Sequence, residues 1–472
     1  MADTASDVPQ GFSRRLGVVG VLLLTLSVAT PASSVFVIAP DMLRGAGTGT
    51  LWALILAAIV CVATGYIYAE LSSAFPVAGG EYVMVTHTLG PLAGFVMLGV
   101  NVFNNLIFLP VAGLGISEVL GSVIPGLPAV PTAVAVVAAC ALVGILDIRL
   151  NAFVTGTFLL IEVLALAAVS VLGLVHAARN PLDFLLHPVA VQNGALAPVS
   201  FASIGVTAAI ALFALNGYGA AVYFGEEMEQ APTRIARTVM LALVATLVLE
   251  GTPIVAALVG SPDLIRLFTV DNPFGALVRE RGSLGLVQWV SVGVALAIVN
   301  AIIAWVLACA RFFYSTARDG CWGRPIDRWL LAIHPRFGSP WIGTLIIGAV
   351  AIGLCFVPLR LLELWSGTGL IAIYLGIALA AMVGRANGIT TAAPYRMPFY
   401  PLAPIVTFAA LGYVTLTNSW DAEGRWALIA TLVQVAVSIA YYLLVLRPRG
   451  AWTARIPAVE SVIPASATSD AR

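Results

Sequence analysis

The sequence predicts an all-α integral membrane protein with about twelve transmembrane helices. Of its 472 residues, 60% are hydrophobic and 10% are charged, whereas soluble domains contain roughly 45–50% and 25%. The mean hydropathy of +1.00 indicates the same class, because a soluble protein of this size needs a more charged surface. The apolar runs are rich in Leu, Ala and Val and show no polar alternation, which favours helices over barrel strands.

A transmembrane helix needs about 20 mostly apolar residues, and such runs recur along the chain. The predicted spans are residues 16–39, 51–75, 90–119, 129–146, 153–175, 199–224, 238–260, 285–312, 341–358, 362–384, 402–418 and 426–446. Together they form a transmembrane domain over residues 14–449. The polar segments that flank it, residues 1–13 and 450–472, are predicted to be disordered cytoplasmic tails.

The distribution of arginine predicts the orientation. All 23 basic residues are Arg, and with the N-terminus inside, sixteen of them fall on inner segments and seven on outer loops. We therefore expect both termini to be cytoplasmic. The use of Arg without any Lys is typical of a GC-rich bacterial genome and favours the cytoplasmic membrane of a bacterium. Arg14 and Arg15 before the first run also resemble a twin-arginine export signal. Since eleven further spans follow, we interpret that run as span one.

Metal, cofactor and nucleic-acid chemistry is not indicated. The five cysteines are scattered and only four histidines occur, so no zinc motif is present. The formal net charge of zero provides no electrostatic attraction for nucleic acid. A membrane enzyme would need a nucleophile with its base or a metal motif, and none is found. The sequence thus predicts no catalytic residue, no metal and no cofactor, with the lipid bilayer as surroundings.

Two spans carry helix-breaking residues near their middles. Span one contains Pro31 among small hydroxyl residues, and Pro31 disfavours helix at Thr30. Span six contains Gly217 and Gly219 on either side of Tyr218. Spans one and six would open corresponding halves of an inverted repeat, and such paired interruptions indicate a transporter binding site. The alternative is two packing kinks, because Gly and Pro are common in membrane helices.

Motifs along most of the chain resemble those of one transporter superfamily. They are YAELSSAFPVAGGEYV at 68–83, LGP at 89–91, EE at 226–227, PTRIAR at 232–237, ARDG at 317–320, HPRFGSP at 334–340 and YRMPFYP at 395–401. In this order and spacing they resemble the amino acid–polyamine–organocation (APC) superfamily. The resemblance implies a leucine-transporter-like fold of two five-helix inverted repeats, about 16–175 and 199–384, with two extra helices at about 402–446.

The chain departs from the family pattern at the predicted site. Relatives often have Gly-Ser-Gly where this chain has Ala32-Ser33-Ser34, and many have an acidic residue at the place of Gly219. Some proton-coupled relatives carry Lys in span five facing the span-one break. This chain has no Lys, and Glu162 lies near the middle of its span five.

Glu162 and Glu250 are therefore the predicted coupling residues, because ionisable groups inside a membrane are functional candidates by default. The alternative is a neutral structural carboxyl. Six charged groups lie near the cytoplasmic ends of the spans: Arg14, Arg15, Glu226, Glu227, Arg318 and Asp319. We expect most of them to be solvated anchors, although they could form an inner gate of salt bridges. The predicted substrate-binding residues are Thr30, Ala32, Ser33, Ser34, Asn101, Phe213, Asn216, Gly217, Tyr218, Gly219 and Trp305.

These features predict a secondary transporter that moves an amino acid by alternating access. Between Val292 and Tyr314 there is no Ser or Thr for a sodium site, so proton coupling or exchange is favoured. A permease for polyamines or organic amines is the alternative, since Glu162 and Glu250 could hold a cation. A sensor, a channel or an enzyme is much less favoured.

Overall fold

The structure is a computed structural model that describes residues 16–121, 123–146, 151–450 and 452–455. Helices make up most of these ranges. In the first part of the chain they are α1 (Val18–Ala29), α2 (Pro31–Ser33), α3 (Ala39–Ala46), α4 (Thr50–Ala74), α5 (Glu81–Leu89), α6 (Pro91–Leu120), α7 (Ala129–Val143), α8 (Asn151–Val175), α9 (Pro181–Leu186) and α10 (Phe201–Ala214).

The second part is also helical. Its helices are α11 (Ala231–Gly260), α12 (Leu264–Thr269), α13 (Pro273–Arg281), α14 (Leu284–Arg318), α15 (Arg324–Leu330), α16 (Trp341–Leu354), α17 (Leu359–Ala386), α18 (Leu402–Trp420), α19 (Ala422–Tyr441) and α20 (Arg447–Arg449). Ser34–Ile38 and Tyr442–Leu446 are π-helical, and Gly47–Gly49 and Asn216–Phe224 are 3₁₀-helical. Strands β1 (Val189–Gln192) and β2 (Ala195–Pro198) form an antiparallel hairpin, with Val189 paired to Pro198.

Nine helical segments of the described chain are long and apolar enough to cross a membrane. The first, Val18–Ala74, covers both of the first two predicted spans. Two shorter apolar helices, α7 and α16, coincide with predicted spans four and nine. The protein is a multi-pass membrane protein, while the count of twelve spans and the inverted repeat stay predictions.

Span one is interrupted where the sequence predicts it. Helix α1 ends at Ala29, and Thr30 adopts a left-handed conformation with φ 43° and ψ 72°. Pro31 then begins α2. Pro31 has no N–H to donate and crowds the helical conformation of the residue before it, so the ladder of hydrogen bonds cannot continue through this point.

Span six is also interrupted where the sequence predicts it. Helix α10 ends at Ala214, and a 3₁₀ segment begins at Asn216. The 3₁₀ segment packs against α1, and the closest approach is at Gly217, where an added Cβ would lie 2.1 Å from the Ala29 Cβ. Only glycine fits this contact without displacing backbone. The two interruptions therefore lie side by side, surrounded by α8, α11 and α14.

Both described ends of the chain lie on one face of the molecule, called here the terminal face. Leu16 exchanges backbone hydrogen bonds with Glu227 and Glu229. Arg455 donates its backbone N–H to Asp319, with the N–O distance 3.3 Å. Span one then crosses the molecule, so α3 ends on the opposite face, called here the distal face.

Part of the predicted disordered C-terminal tail is packed. Trp452 and Ala454 are buried, and the Ala454 carbonyl lies 3.1 Å from the His87 Nε2. For residues 452–455 the structure differs from the prediction, because an aromatic side chain in this segment buries apolar surface against Phe95. The segment 1–13, the residues Arg14 and Arg15, and residues 456–472 lie outside the described chain.

Charged groups of the terminal face form buried or half-buried ion pairs. Arg318 lies 3.2 Å from Glu226, with side chains 14% and 9% exposed, and Arg311 lies 2.7 Å from Glu227. The Glu226 carboxylate also accepts the backbone N–H of Ala78 at 3.0 Å. The expectation of solvated anchors is wrong for these glutamates and Arg318, because their neighbouring helices enclose them.

Candidate functional site

Two small cavities meet beside the interrupted segments. One is lined by Tyr68, Glu81, Asn101, Asn104, Asn105, Asn216, Gly217, Gly219, Ala220, Tyr223, Trp305, Leu370 and Ile373. The other is lined by Val28, Ala29, Ser34, Ile38, Asn104, Phe108, Phe213, Ala214, Asn216, Gly217 and Trp305. We call them the polar and the apolar compartment. Four residues line both: Asn104, Asn216, Gly217 and Trp305.

The structure brings many of the predicted site residues to this cavity. Asn101 and Gly219 line the polar compartment, while Ser34 and Phe213 line the apolar one. Tyr218 lines neither compartment: its hydroxyl is buried 2.6 Å from the Thr64 hydroxyl. Its two neighbours, Gly217 and Gly219, both line the polar compartment.

Glu162 caps the interruption of span one. Its carboxylate accepts the backbone N–H of Ala32 at 2.6 Å and the Thr30 hydroxyl at 3.3 Å. The side chain is 2% exposed. A carboxylate is favourable here because the first turn of a helix presents unpaired N–H groups and the positive end of the helix dipole. The chain itself thus supplies the anion that this break attracts.

The other N–H groups of that turn are also occupied. Ser33 and Ser34 donate their N–H groups to the Thr30 carbonyl at 2.9 and 3.2 Å. Thr30, Ala32 and Ser33 line neither compartment, and the buried Ser33 hydroxyl has no hydrogen-bond partner among the described residues. The sequence predicts free peptide groups at this break, but in this conformation they are bonded within the chain.

Glu250 lies on α11 next to the same break. It is 0% exposed, and neither of its carboxyl oxygens receives a hydrogen bond from the described part of the chain. Its neighbours are Ser34 and Glu162, and the Ser34 hydroxyl already donates to the Ala214 carbonyl at 2.9 Å. An unpaired buried carboxylate is very costly, so a proton on Glu250, donated towards the Ser34 oxygen, would remove the cost.

Glu81 is a cavity residue that the sequence analysis missed. Its carboxylate accepts hydrogen bonds from Tyr68 at 2.8 Å, Tyr223 at 3.0 Å and Asn101 at 3.1 Å. Burial raises the pKa of the Glu81 carboxyl, and these hydrogen bonds offset part of the effect. Glu81 belongs to the GGEY motif at 79–82, which predicts a cytoplasmic segment, and only the packing of α5 brings it to the cavity.

The asparagines of span three join neighbouring helices and line the polar compartment as well. Asn104 accepts a hydrogen bond from the Ser366 hydroxyl at 2.7 Å. The backbone carbonyl of Asn105 accepts the Trp305 indole N–H, and the Trp305 ring lies beside Phe108, with centroids 5.3 Å apart. Asn216 of the 3₁₀ segment likewise accepts the Tyr374 hydroxyl at 3.0 Å. The side chains of Asn104 and Asn216 therefore both line the cavity and bond to neighbouring helices.

The comparisons with known proteins identify the family of this chain. The model of the amino acid permease family matches residues 16–445. An uncharacterized transporter of Mycobacterium tuberculosis is 27% identical over 415 residues, covering 88% of this chain and 89% of that protein. In Bacillus subtilis, a methylthioribose transporter is 23% identical, covering 93% and 97%. A branched-chain amino acid permease of the same organism is 22% identical, covering 91% and 94%. The chain belongs to the amino acid permease family of the APC superfamily.

Proposed function

We propose that this transporter carries an amino acid across the cytoplasmic membrane by alternating access, coupled to protons through Glu162. The observation that supports the proposal best is the buried Glu162 carboxylate on the Ala32 N–H, at the interruption of span one. A half-helix start beside a cavity is the kind of site at which a transporter binds an anionic group of its substrate.

The coupling step follows from competition for one peptide group. Pro31 has no N–H, and the N–H groups of Ser33 and Ser34 are bonded to Thr30. A substrate carboxylate that binds the Ala32 N–H must therefore displace the carboxylate of Glu162. A proton on Glu162 weakens it as an acceptor and removes the repulsion between two buried anions. Proton binding then precedes or accompanies substrate binding, which is the order a symporter needs.

The linings of the two compartments match the two ends of an amino acid in chemical character. The polar compartment offers the amides of Asn101 and Asn104 and the Glu81 carboxylate for a polar head. The apolar compartment offers Phe108 and Phe213 for a hydrocarbon side chain. A largely apolar pocket with a few placed polar groups is typical of small-molecule sites.

In this proposal the terminal face lies on the cytoplasmic side of the membrane. The terminal face carries Glu226 and Glu227 in their ion pairs with Arg318 and Arg311, and the excess of arginine on this side favours a cytoplasmic position for it. The ion pairs join the segment after span six to α14, and in this proposal they hold the cytoplasmic side closed. The distal face would then be extracellular.

An amine is the second candidate substrate, and a specific observation favours it. The Ala32 N–H is already occupied by Glu162, while the polar compartment contains the carboxylate of Glu81. A solute that carries an ammonium group and no carboxylate would use Glu81 without displacing Glu162.

Uptake into proteoliposomes tests both proposals. The radiolabelled solutes would be leucine, putrescine and methylthioribose, each measured with and without a pH gradient that is acidic outside. We expect leucine to accumulate with the gradient, and we expect Glu162→Gln to lose the effect of the gradient but to keep counterflow. The control is Glu229→Gln, an exposed carboxyl on the terminal face.

Two results would contradict the proposals. Gradient-driven uptake of the same size in Glu162→Gln and in the unmodified protein would exclude the coupling role. Accumulation of putrescine without accumulation of leucine would show that the substrate is an amine and not an amino acid.

A further inference from the structure

The C-terminal end of the described chain, residues 452–455, lies on the terminal face without regular secondary structure. Trp452 and Ala454 are 8% and 1% exposed, whereas Thr453 and Arg455 are exposed. Burial of every second residue is typical of an extended chain that lies with one face against the protein. We call residues 452–455 the strap. The strap lines neither compartment of the cavity, so contact with the substrate does not explain its packing.

Trp452 anchors the strap in an aromatic cluster. Its ring meets Phe95 edge to face, with centroids 5.4 Å apart, and its centroid lies 6.4 Å from that of the Tyr442 ring. Phe95 in turn stacks on Tyr441, with centroids 5.5 Å apart. The cluster joins the start of α6 to the end of α19. Aromatic pairs in these geometries are favourable beyond the area that they bury, so the cluster holds the strap at a defined position.

The rest of the strap bridges α5 and α14. The Ala454 carbonyl accepts a hydrogen bond from the His87 Nε2 of α5 at 3.1 Å. The Arg455 backbone N–H donates to one carboxyl oxygen of Asp319, directly after α14, at 3.3 Å. The other Asp319 oxygen accepts the Tyr82 hydroxyl of α5 at 2.8 Å. The strap therefore adds a second connection between the two elements that Tyr82 and Asp319 already join.

The same two elements hold an ion pair of the terminal face. The Glu226 carboxylate accepts the backbone N–H of Ala78, three residues before α5, and pairs with Arg318 in the last turn of α14. Glu226 can bond both partners only while α5 and α14 keep one relative position. In alternating access, the segment after span six would leave these partners when the terminal side opens. A bridge that fixes α5 relative to α14 preorganises the closed arrangement and lowers the entropic cost of forming it.

We propose that the strap is an autoinhibitory element that stabilises the state closed on the terminal side. While the strap is bound, α5 and α14 present the Ala78 N–H and the Arg318 guanidinium to Glu226 together. When the strap leaves, this preorganisation is lost, and the population shifts towards the state that is open on the terminal side. The role rests on the proposed alternating access, but it does not depend on the identity of the substrate or of the coupling ion.

Thiol labelling of one cavity residue from each side of the membrane tests the proposal without a transport assay. Ala220→Cys places a thiol in the lining of the polar compartment, while the native cysteines of the described chain are buried. Proteoliposomes are sorted by capture on an antibody to an N-terminal tag, which marks the terminal side because Leu16 lies on that face. The rate of labelling by a membrane-impermeant maleimide then reports access from each side.

Two truncations of the Ala220→Cys protein form a matched pair. Truncation after Gly450 removes the strap, whereas truncation after Arg455 keeps the strap and removes residues 456–472. We expect the first to raise the labelling rate from the terminal side at least threefold, without raising the rate from the distal side. The second should leave both rates unchanged. Trp452→Ala should act like the first truncation, and Trp452→Phe, which keeps an aromatic ring in the cluster, should stay close to the full-length protein.

Arg455→Pro tests the bridge separately from the anchor. Proline has no backbone N–H, so this variant loses the donor to Asp319 but keeps Trp452. It should also raise the terminal-side rate, and it serves if the truncated chain does not fold. The effect of removing the strap should persist in the Glu162→Gln background, which separates this proposal from the coupling role of Glu162.

Two results would overturn the autoinhibitory role. Equal terminal-side rates with and without the strap would show that it does not hold the closed state. An equal rise in the rates from both sides would show that the strap only stabilises the fold.

Discussion

Replacement of Gly217 by Ala tests the contact between the two interrupted segments. The added Cβ would lie 2.1 Å from the Ala29 Cβ and 2.2 Å from its Cα, whereas carbon atoms pack at about 3.5–4.0 Å. Span six would have to move away from span one by roughly 1.5 Å. Overpacking of this kind typically costs about 1–3 kcal/mol, and here backbone must move, so we expect the upper part of that range.

Gly219→Ala is the matched control, because it lies in the same 3₁₀ segment and its nearest neighbour, the Tyr68 Cζ, would be 3.4 Å from the added Cβ. The free energy of unfolding would be measured by SDS titration in mixed micelles, and uptake in proteoliposomes. We expect Gly217→Ala to lose stability and most uptake, and Gly219→Ala to change stability by less than about 1 kcal/mol. Equal stability and uptake of the two variants would refute the close approach at Gly217.

Two further predictions concern buried carboxyls outside the spans. Glu81→Ala leaves the donors Tyr68, Tyr223 and Asn101 without their acceptor. Because each unpaired group costs about 1–3 kcal/mol, we expect the SDS titration to show a loss of several kcal/mol in the free energy of unfolding. A loss below about 1 kcal/mol would contradict this prediction. For Asp319, burial raises the pKa to about 6 from 3.8, so the folded state binds more protons than the unfolded state between these values. Its contribution to stability therefore falls as pH rises from about 4 to 6; we expect Asp319→Asn to flatten the pH profile of unfolding in that window, and an unchanged profile would refute the assignment.

The interruptions could be predicted from local chemistry. Pro31 lacks a hydrogen-bond donor wherever the chain places it, and Gly217 and Gly219 weaken a helix in any surroundings. The Glu162 position was predicted from the family resemblance, and the structure places it 2.6 Å from the Ala32 N–H. The proton role of Glu162 stays a prediction.

Side-chain partners far apart in sequence could not be predicted in the same way. Glu81 meets Tyr223 across 142 positions, and nothing in the composition of either segment indicates the contact. Tyr218 lines neither compartment although both of its neighbours line the polar one, and the sequence gives no sign of this. Neither arrangement leaves a local signal in the sequence, because both depend on how neighbouring helices pack against each other.

The sequence by itself determined that the chain enters the membrane many times and where its helices break, because the hydrophobic effect and backbone hydrogen bonding act over a few neighbouring residues. Only the tertiary structure decided which groups meet at those breaks. It placed Glu162 on Ala32 and Glu81 in the cavity. Such meetings depend on the relative positions of helices, which the packing of the whole bundle sets.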